Sequence, residues 1–91
     1  MISVLIADDQ ELIRESLELI ISLDPRFQFV GSAKDGREVV DMALMLRPDV
    51  ILMDIRMPEI NGLECVKLIK QKDSSIKIII LPTFDDDQYV Y

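Results

Sequence analysis

Residues 49–62 read DVILMDIRMPEING, and this stretch decides the fold. It opens with a short apolar run of strand length, residues 49–53, that leads directly into Asp54. A loop follows, punctuated by Pro58 and Gly62, because proline and glycine interrupt regular structure. Helical spacing then begins, as seen in Leu63, Val66 and Ile69. The stretch therefore predicts a buried strand with an acidic end, a loop and a helix.

Similar units lie on both sides of this stretch. We predict strands at residues 2–7, 27–32, 49–53 and 76–81, and helices that begin near Glu11, Asp35 and Leu63. Beyond the fourth strand, three consecutive acids, Asp85, Asp86 and Asp87, favour the N-terminus of another helix, so we expect the chain to end within its first turn. Short apolar strands that alternate with helices predict an α/β fold with a parallel sheet covered on both faces.

Composition narrows the possible functions. The 91 residues allow one domain with a modest core. A net charge of -7 argues against nucleic-acid binding by this segment, because phosphate backbones attract Lys and Arg. The absence of histidine excludes histidine nucleophiles, general bases and metal ligands within the chain. A single cysteine, no secretion signal and no apolar run long enough to span a bilayer predict a cytoplasmic location away from the membrane.

Three aspartates lie at the ends of two predicted strands: Asp8 and Asp9 follow the first, and Asp54 follows the third. Ligands bind beyond the carboxyl ends of strands in open α/β sheets, so neighbouring strands would place the three carboxylates in one pocket. Clustered like charges favour a bound cation, and oxygen ligands without His or Cys select a hard ion such as Mg²⁺. A carboxylate beside that ion can attack phosphorus, which makes Asp54 the candidate nucleophile. The plainer interpretation of Asp8 and Asp9 is a solvated strand end or a helix cap.

The sequence resembles the receiver domains of two-component response regulators over essentially its whole length. The resemblance rests on Asp8-Asp9, on the D-x-x-M-P-x-x-N-G pattern from Asp54 to Gly62, and on the apolar run before Thr83-Phe84. Residues 81–90, LPTFDDDQYV, are most similar to the NarL/LuxR branch, whose members attach a helix-turn-helix DNA-binding domain after the receiver. The resemblance implies a doubly wound, flavodoxin-like parallel sheet with strand order 2-1-3-4. It further implies that residues 1–91 are a C-terminally incomplete receiver, without the fifth strand, the last helix and the DNA-binding domain.

The resemblance also implies roles for individual residues. A sensor histidine kinase would phosphorylate Asp54, Asp9 would bind Mg²⁺ directly, and Asp8 would contribute through the metal or its water. The backbone carbonyl of Arg56 would be a further metal ligand. The polar side of the first helix, which includes Arg14, would face the kinase or solvent. Phosphorylation would change the conformation and dimerisation of an attached DNA-binding transcriptional regulator.

Two features depart from the family pattern. The fourth strand of family members usually ends in Leu-Thr or Leu-Ser, whose hydroxyl contacts the phosphoryl group, whereas here Leu81 precedes Pro82, which has neither a hydroxyl nor an amide hydrogen. Thr83 is the remaining candidate for that contact, although a shift of one residue normally turns a side chain to the opposite face. The family's lysine at the end of the fifth strand would come after Tyr91. Without that strand, we expect the fourth strand's edge to support self-association or a swapped dimer.

Two other function classes stay open. A pseudo-receiver would have the same fold and serve protein contact without phosphorylation, and Pro82 keeps this interpretation open. An aspartyl-phosphate phosphatase would use an acidic pair as nucleophile and general acid on a similar sheet. That class has a D-x-D spacing after the first strand, whereas here Asp8 and Asp9 are adjacent, Gln10 follows, and no cap insertion is present. The phosphatase therefore ranks behind the receiver.

Overall fold

A computed structural model describes residues 1–55, 61–81 and 89–90, the last two by their backbone alone. Strands and helices alternate in the predicted order, with small shifts at some ends. The elements are β1 (Ile2–Ala7), α1 (Glu11–Ser22), β2 (Phe27–Ala33), α2 (Gly36–Leu46), β3 (Val50–Asp54), α3 (Gly62–Lys72), β4 (Lys77–Leu81) and β5 (Tyr89–Val90).

The strands form one sheet in the order β2-β1-β3-β4-β5. Strand β1 pairs in parallel with β2 and with β3, and β3 pairs in parallel with β4. The predicted parallel order 2-1-3-4 is therefore confirmed. The chain runs from β1 outward to β2 and then returns to the other side of β1, so the order reverses between β1 and β3. Ligand sites in open α/β sheets form at this reversal.

Alternate residues of the strands pack on opposite faces of the sheet, as the two-residue repeat of a strand requires. In β1, Leu5 and Ala7 belong to the larger core, whereas Val4 and Ile6 face α1. The larger core joins the sheet to α2 and α3 through fully or nearly fully buried side chains that include Ile51, Met53, Ile78, Ile80, Val39, Ala43, Cys65 and Ile69. Helices thus cover both faces, and apolar strands with no polar face result from that burial.

The C-terminal end differs from the sequence prediction. Residues 85–87, predicted to begin a helix, lie outside the described residues, but Tyr89 and Val90 form a strand, so the prediction of helix is wrong for these two positions. Strand β5 runs antiparallel to β4, with Val90 opposite Ile79 and Tyr89 opposite Ile80. An edge strand has backbone N–H and C=O groups that need partners, and an extended segment supplies them. The edge of β4, expected to be open, is therefore partly paired within the chain.

Candidate functional site

The backbone at the end of β1 fixes Asp8. Its amide donates a hydrogen bond to the Ala33 carbonyl at 3.0 Å, which extends the pairing of β1 with β2 by one residue. The Asp8 carboxylate accepts a hydrogen bond from the Gln10 amide at 2.9 Å, an aspartate turn that directs the chain into α1. Asp8 is only 5% exposed, whereas Asp9 is exposed. The two neighbouring acids therefore lie in different environments.

Asp54 brings a third carboxylate to the same edge of the sheet. It is the last residue of β3, and Ala7 of β1 lies opposite Met53, so Asp8 and Asp54 leave adjacent strands side by side. One carboxylate oxygen from each of Asp8, Asp9 and Asp54 lies within 4.8 Å of the other two. The structure thus brings together the three acids that were singled out in the sequence.

The cluster affects the titration of Asp8. Burial is the main reason that the pKa of its carboxyl is raised above the ordinary 3.8, because the charged form loses hydration. The negative charges of Asp54 and Asp9 raise that pKa further, and the hydrogen bond from the Gln10 amide partly opposes them. The folded protein therefore favours a proton or a cation at this position.

The available donor atoms fit a hard divalent cation. All three side chains offer carboxylate oxygens, and the chain has no histidine. The only cysteine, Cys65, is buried on α3, and burial raises the pKa of its thiol to about 11, so it is not a thiolate at neutral pH. A site with few protein oxygens suits Mg²⁺, which retains several of its own waters. The residues present therefore fit the ion that the sequence led us to expect.

The start of α3 rests directly on the residue after Asp54. The Asn61 side chain caps the helix by accepting a hydrogen bond from the Glu64 amide at 3.0 Å. The Gly62 amide donates to the Ile55 carbonyl at 2.9 Å. A Cβ atom at Gly62 would lie 2.6 Å from the Ile55 Cα, so this close approach requires glycine. The Asn-Gly pair therefore ties α3 to the end of β3.

Several predicted site residues lie outside the described residues. They are Arg56, whose carbonyl is a candidate metal ligand, Thr83, and the neighbouring Met57, Pro58 and Pro82. Their roles stay predictions.

Arg14 is a residue of the site that the sequence did not reveal. The sequence predicts that Arg14 lies on the polar side of α1 and faces a kinase or solvent, but its Nη1 donates to the Asp8 carbonyl oxygen at 2.7 Å. Its side chain is half-buried. The available signal was its position in the first turn of the helix that follows the acidic pair, from which a long side chain can reach back.

Comparison with known proteins agrees with this architecture. The family model for the response regulator receiver domain matches residues 4–91. The chain is 44% identical over 91 residues to the transcriptional regulatory protein LiaR of Bacillus subtilis, covering 100% of this chain and 43% of that protein. It is 40% identical over 90 residues to LnrK of the same organism, covering 99% of this chain and 41% of that protein. The chain thus spans less than half the length of these relatives.

Solved structures show the same fold. The response regulator domain of Thermotoga maritima CheB has a TM-score of 0.89 at 42% identity, covering 96% of this chain and 64% of that chain. A LuxR-family DNA-binding response regulator from Staphylococcus aureus has a TM-score of 0.86 at 31% identity, covering 94% of this chain and 72% of that chain. Within the described ranges, no helix is long and apolar enough to cross a membrane. The chain belongs to the receiver domain family of two-component response regulators, with relatives among the NarL/LuxR-type transcriptional regulators.

Proposed function

We propose that Asp54 accepts a phosphoryl group from a sensor histidine kinase in a Mg²⁺-dependent reaction. The observation that carries this proposal is the convergence of the Asp8, Asp9 and Asp54 carboxylates within 4.8 Å at the carboxyl ends of β1 and β3. Membership of the receiver family adds support. Three carboxylates this close together repel one another unless a cation offsets their charge. A site for a cation and a phosphoryl group would explain why the cluster is present.

The chemistry assigned to the chain is simple. An oxygen of the Asp54 carboxylate forms a bond to phosphorus while the N–P bond of the kinase's phosphohistidine breaks, and the leaving imidazole nitrogen takes up a proton. Asp8, Asp9 and Asp54 would hold Mg²⁺, together with the carbonyl of Arg56. When bound, the ion offsets the charge on the phosphoryl oxygens. The end of β3 keeps the nucleophile in place, because Asp54 pairs with Leu81 of β4.

The relatives support an output through transcription. Two of them are transcriptional regulatory proteins, and each is more than twice as long as the part that this chain matches. We infer that the whole protein works in the cytoplasm and carries a DNA-binding effector domain beyond the receiver. Phosphorylation would then control that domain through a conformational change and dimerisation. The net charge of -7 agrees with DNA contact outside the receiver.

The proposal is tested by intact-mass spectrometry after incubation with acetyl phosphate and Mg²⁺, with and without a chelator. We expect a single phosphoryl adduct that disappears with the chelator and in Asp54→Ala. Asp41→Ala is the matched control, because Asp41 is an exposed aspartate on α2, and this variant should accept phosphate like the wild type.

Two results would contradict the proposal. The absence of an adduct in folded protein would identify a pseudo-receiver, which the proline at position 82 makes the leading alternative. Continuous hydrolysis of added phosphate esters would instead identify a phosphatase, whose nucleophile would belong to the acidic pair Asp8-Asp9 and not be Asp54. A slow but stoichiometric adduct would support the receiver, since Pro82 cannot supply the hydroxyl that the family usually has there.

A further inference from the structure

We infer that Arg14 is a positioning residue that locks the peptide group between Asp8 and Asp9 and thereby sets the affinity of the acidic pocket for Mg²⁺. This role rests on the proposed function of the pocket. Arg14 lies in the first turn of α1, outside the set of carboxylates that would contact the ion. Its effect would therefore act through the backbone of the two neighbouring acids.

The contact that carries this inference is short and well placed. The Arg14 Nη1 donates to the Asp8 carbonyl oxygen at 2.7 Å, and the Arg14 amide donates to the Gln10 carbonyl at 3.1 Å. The Asp8 carbonyl belongs to the peptide group that joins Asp8 to Asp9, and a peptide group is planar. Fixing that oxygen therefore fixes the ψ angle of Asp8 and the φ angle of Asp9. These two angles direct the two carboxylates relative to each other.

Among the described residues, the other hydrogen bonds of this turn hold different groups of Asp8. The Asp8 amide is held by the Ala33 carbonyl, and the Asp8 carboxylate is held by the Gln10 amide. Both contacts position Asp8 itself, whereas the Arg14 contact reaches the carbonyl that leads to Asp9. Asp9 is exposed, so surrounding side chains restrain it less than they restrain Asp8.

Electrostatics explain why this restraint matters. Without a cation, the charges of Asp8, Asp9 and Asp54 repel one another and favour a turn that opens away from β3. A hydrogen bond from a charged guanidinium is shorter and stronger than one between neutral groups, so it can hold the turn against that repulsion. Partners that orient metal ligands without touching the metal commonly change metal affinity by about 10- to 100-fold.

The experiment measures the midpoint of thermal unfolding as a function of Mg²⁺ concentration. The baseline without Mg²⁺ reports stability, and the concentration at which the midpoint rises reports the dissociation constant. We expect Arg14→Gln to weaken Mg²⁺ binding by about 10-fold. Arg14→Lys retains a charged donor and should recover part of that loss. Lys72→Gln, which removes an exposed charge at the far end of α3, should bind Mg²⁺ like the wild type.

A purely structural role for Arg14 gives a different pattern. In that case Arg14→Gln lowers the baseline midpoint but leaves the Mg²⁺ dissociation constant unchanged, and this result would overturn the inference. Equal weakening in Lys72→Gln would also overturn it, because a substitution far from the acidic pair would then have the same effect as loss of the Arg14 hydrogen bond. If the wild type shows no stabilisation by Mg²⁺ that Asp9→Asn removes, the proposed function of the pocket fails as well.

Discussion

Aspartates have opposite roles at the two ends of the parallel strands. We call the side of the sheet where these strands begin the amino edge, and the side where they end the carboxyl edge. At the amino edge, Asp24, Asp49 and Asp73 lie in the connections that lead into strands, and each has a lowered pKa because neighbouring groups donate hydrogen bonds to it. At the carboxyl edge, Asp8 has a raised pKa because it is buried beside other carboxylates. Aspartate therefore stabilises the amino edge, whereas the buried charge of Asp8 at the carboxyl edge is unfavourable.

The amino-edge acids find their partners nearby. Arg26 donates to Asp24 with an Nη2 to Oδ2 distance of 2.7 Å, and the Ser75 hydroxyl donates to Asp73 at 2.6 Å. Asp49 accepts hydrogen bonds from the Ser3 amide at 2.8 Å and from its hydroxyl at 3.0 Å. Each of these charges has a partner of its own and needs no ligand.

Asp8 at the carboxyl edge has different surroundings. It accepts a hydrogen bond from the Gln10 amide, but the carboxylates of Asp54 and Asp9 raise its pKa. The fold nevertheless holds these like charges together, through the Arg14 hydrogen bond and the close packing of Gly62 on Ile55. Such a cluster favours a bound ligand. We therefore interpret the amino-edge acids as structural, in contrast to the acids that we propose to be functional at the carboxyl edge.

The largest expected effect comes from a substitution that pushes the start of α3 away from the end of β3. Gly62→Ala places a Cβ atom 2.6 Å from the Ile55 Cα, which belongs to the backbone and cannot rotate away. We expect the free energy of unfolding to fall by roughly 2 kcal/mol, the usual cost of overpacking. We also expect phosphorylation of Asp54 to slow, because α3 must move away from the end of β3. Denaturant unfolding and intact-mass kinetics measure the two effects.

Gly31→Ala is the control for this prediction. Its Cβ atom would also meet an atom at 2.6 Å, but that atom is the terminal Cε of Met42, a flexible side chain that can move. Its cost should be clearly smaller than that of Gly62→Ala, and phosphorylation should be unaffected. Equal losses in both variants would show that the approach of α3 to Ile55 is not special.

The second prediction concerns a substitution that reduces the repulsion among the carboxylates at the carboxyl edge. Asp8→Asn keeps an oxygen that can accept from the Gln10 amide and removes the buried charge. Because the pKa of Asp8 is raised in the folded state, the folded protein loses stability as the pH rises through that pKa. We expect the variant without Mg²⁺ to unfold at a higher temperature than the wild type, by a difference that grows as the pH rises above 3.8. We also expect Mg²⁺ to stabilise it no further.

The matched variant at the amino edge should change stability in the opposite direction. Asp49→Asn weakens the hydrogen bonds from Ser3, so it should lower the midpoint of thermal unfolding. If both substitutions lowered the midpoint, Asp8 would be a structural acid like Asp49, and the contrast between the edges would be lost.

Much of the fold could be predicted because local signals and tertiary structure agree. The apolar run before Asp54 is a strand, and Asn61-Gly62 ends the loop, with Asn61 as the cap of α3. Strand β5 was not predicted, because the three acids at residues 85–87 favour the start of a helix and the pairing with β4 is a tertiary contact. The sequence predicts that Asp54 lies beside Asp8 and Asp9 if the first and third strands are neighbours in the sheet. The register that places Ala7 opposite Met53 came only from the structure.

The role of Arg14 shows where such prediction stops. In the sequence, Arg14 is one charged residue among several on a helix, and the usual expectation for such residues is exposure to solvent. Its hydrogen bond to the Asp8 carbonyl depends on the angle at which α1 leaves β1, which packing of α1 against Val4 and Ile6 determines. Residue types indicate which atoms can react, but the groups that orient them emerge from packing.

The smallest predicted effect concerns the ion pair at the amino edge. Asp24 has a pKa lowered to about 2, mainly by its hydrogen bonds with Arg26, so its contribution to stability is present above 3.8 and is lost as the pH falls toward about 2. Asp24→Asn removes this contribution, and the difference in unfolding midpoint between variant and wild type should shrink on acidification over that range. Because the pair is accessible to solvent, the difference should also shrink in high salt. A difference that stays constant with pH would mean that Asp24 acts through its turn geometry and not through its charge, and charge pairing would then not distinguish this edge from the acidic pocket.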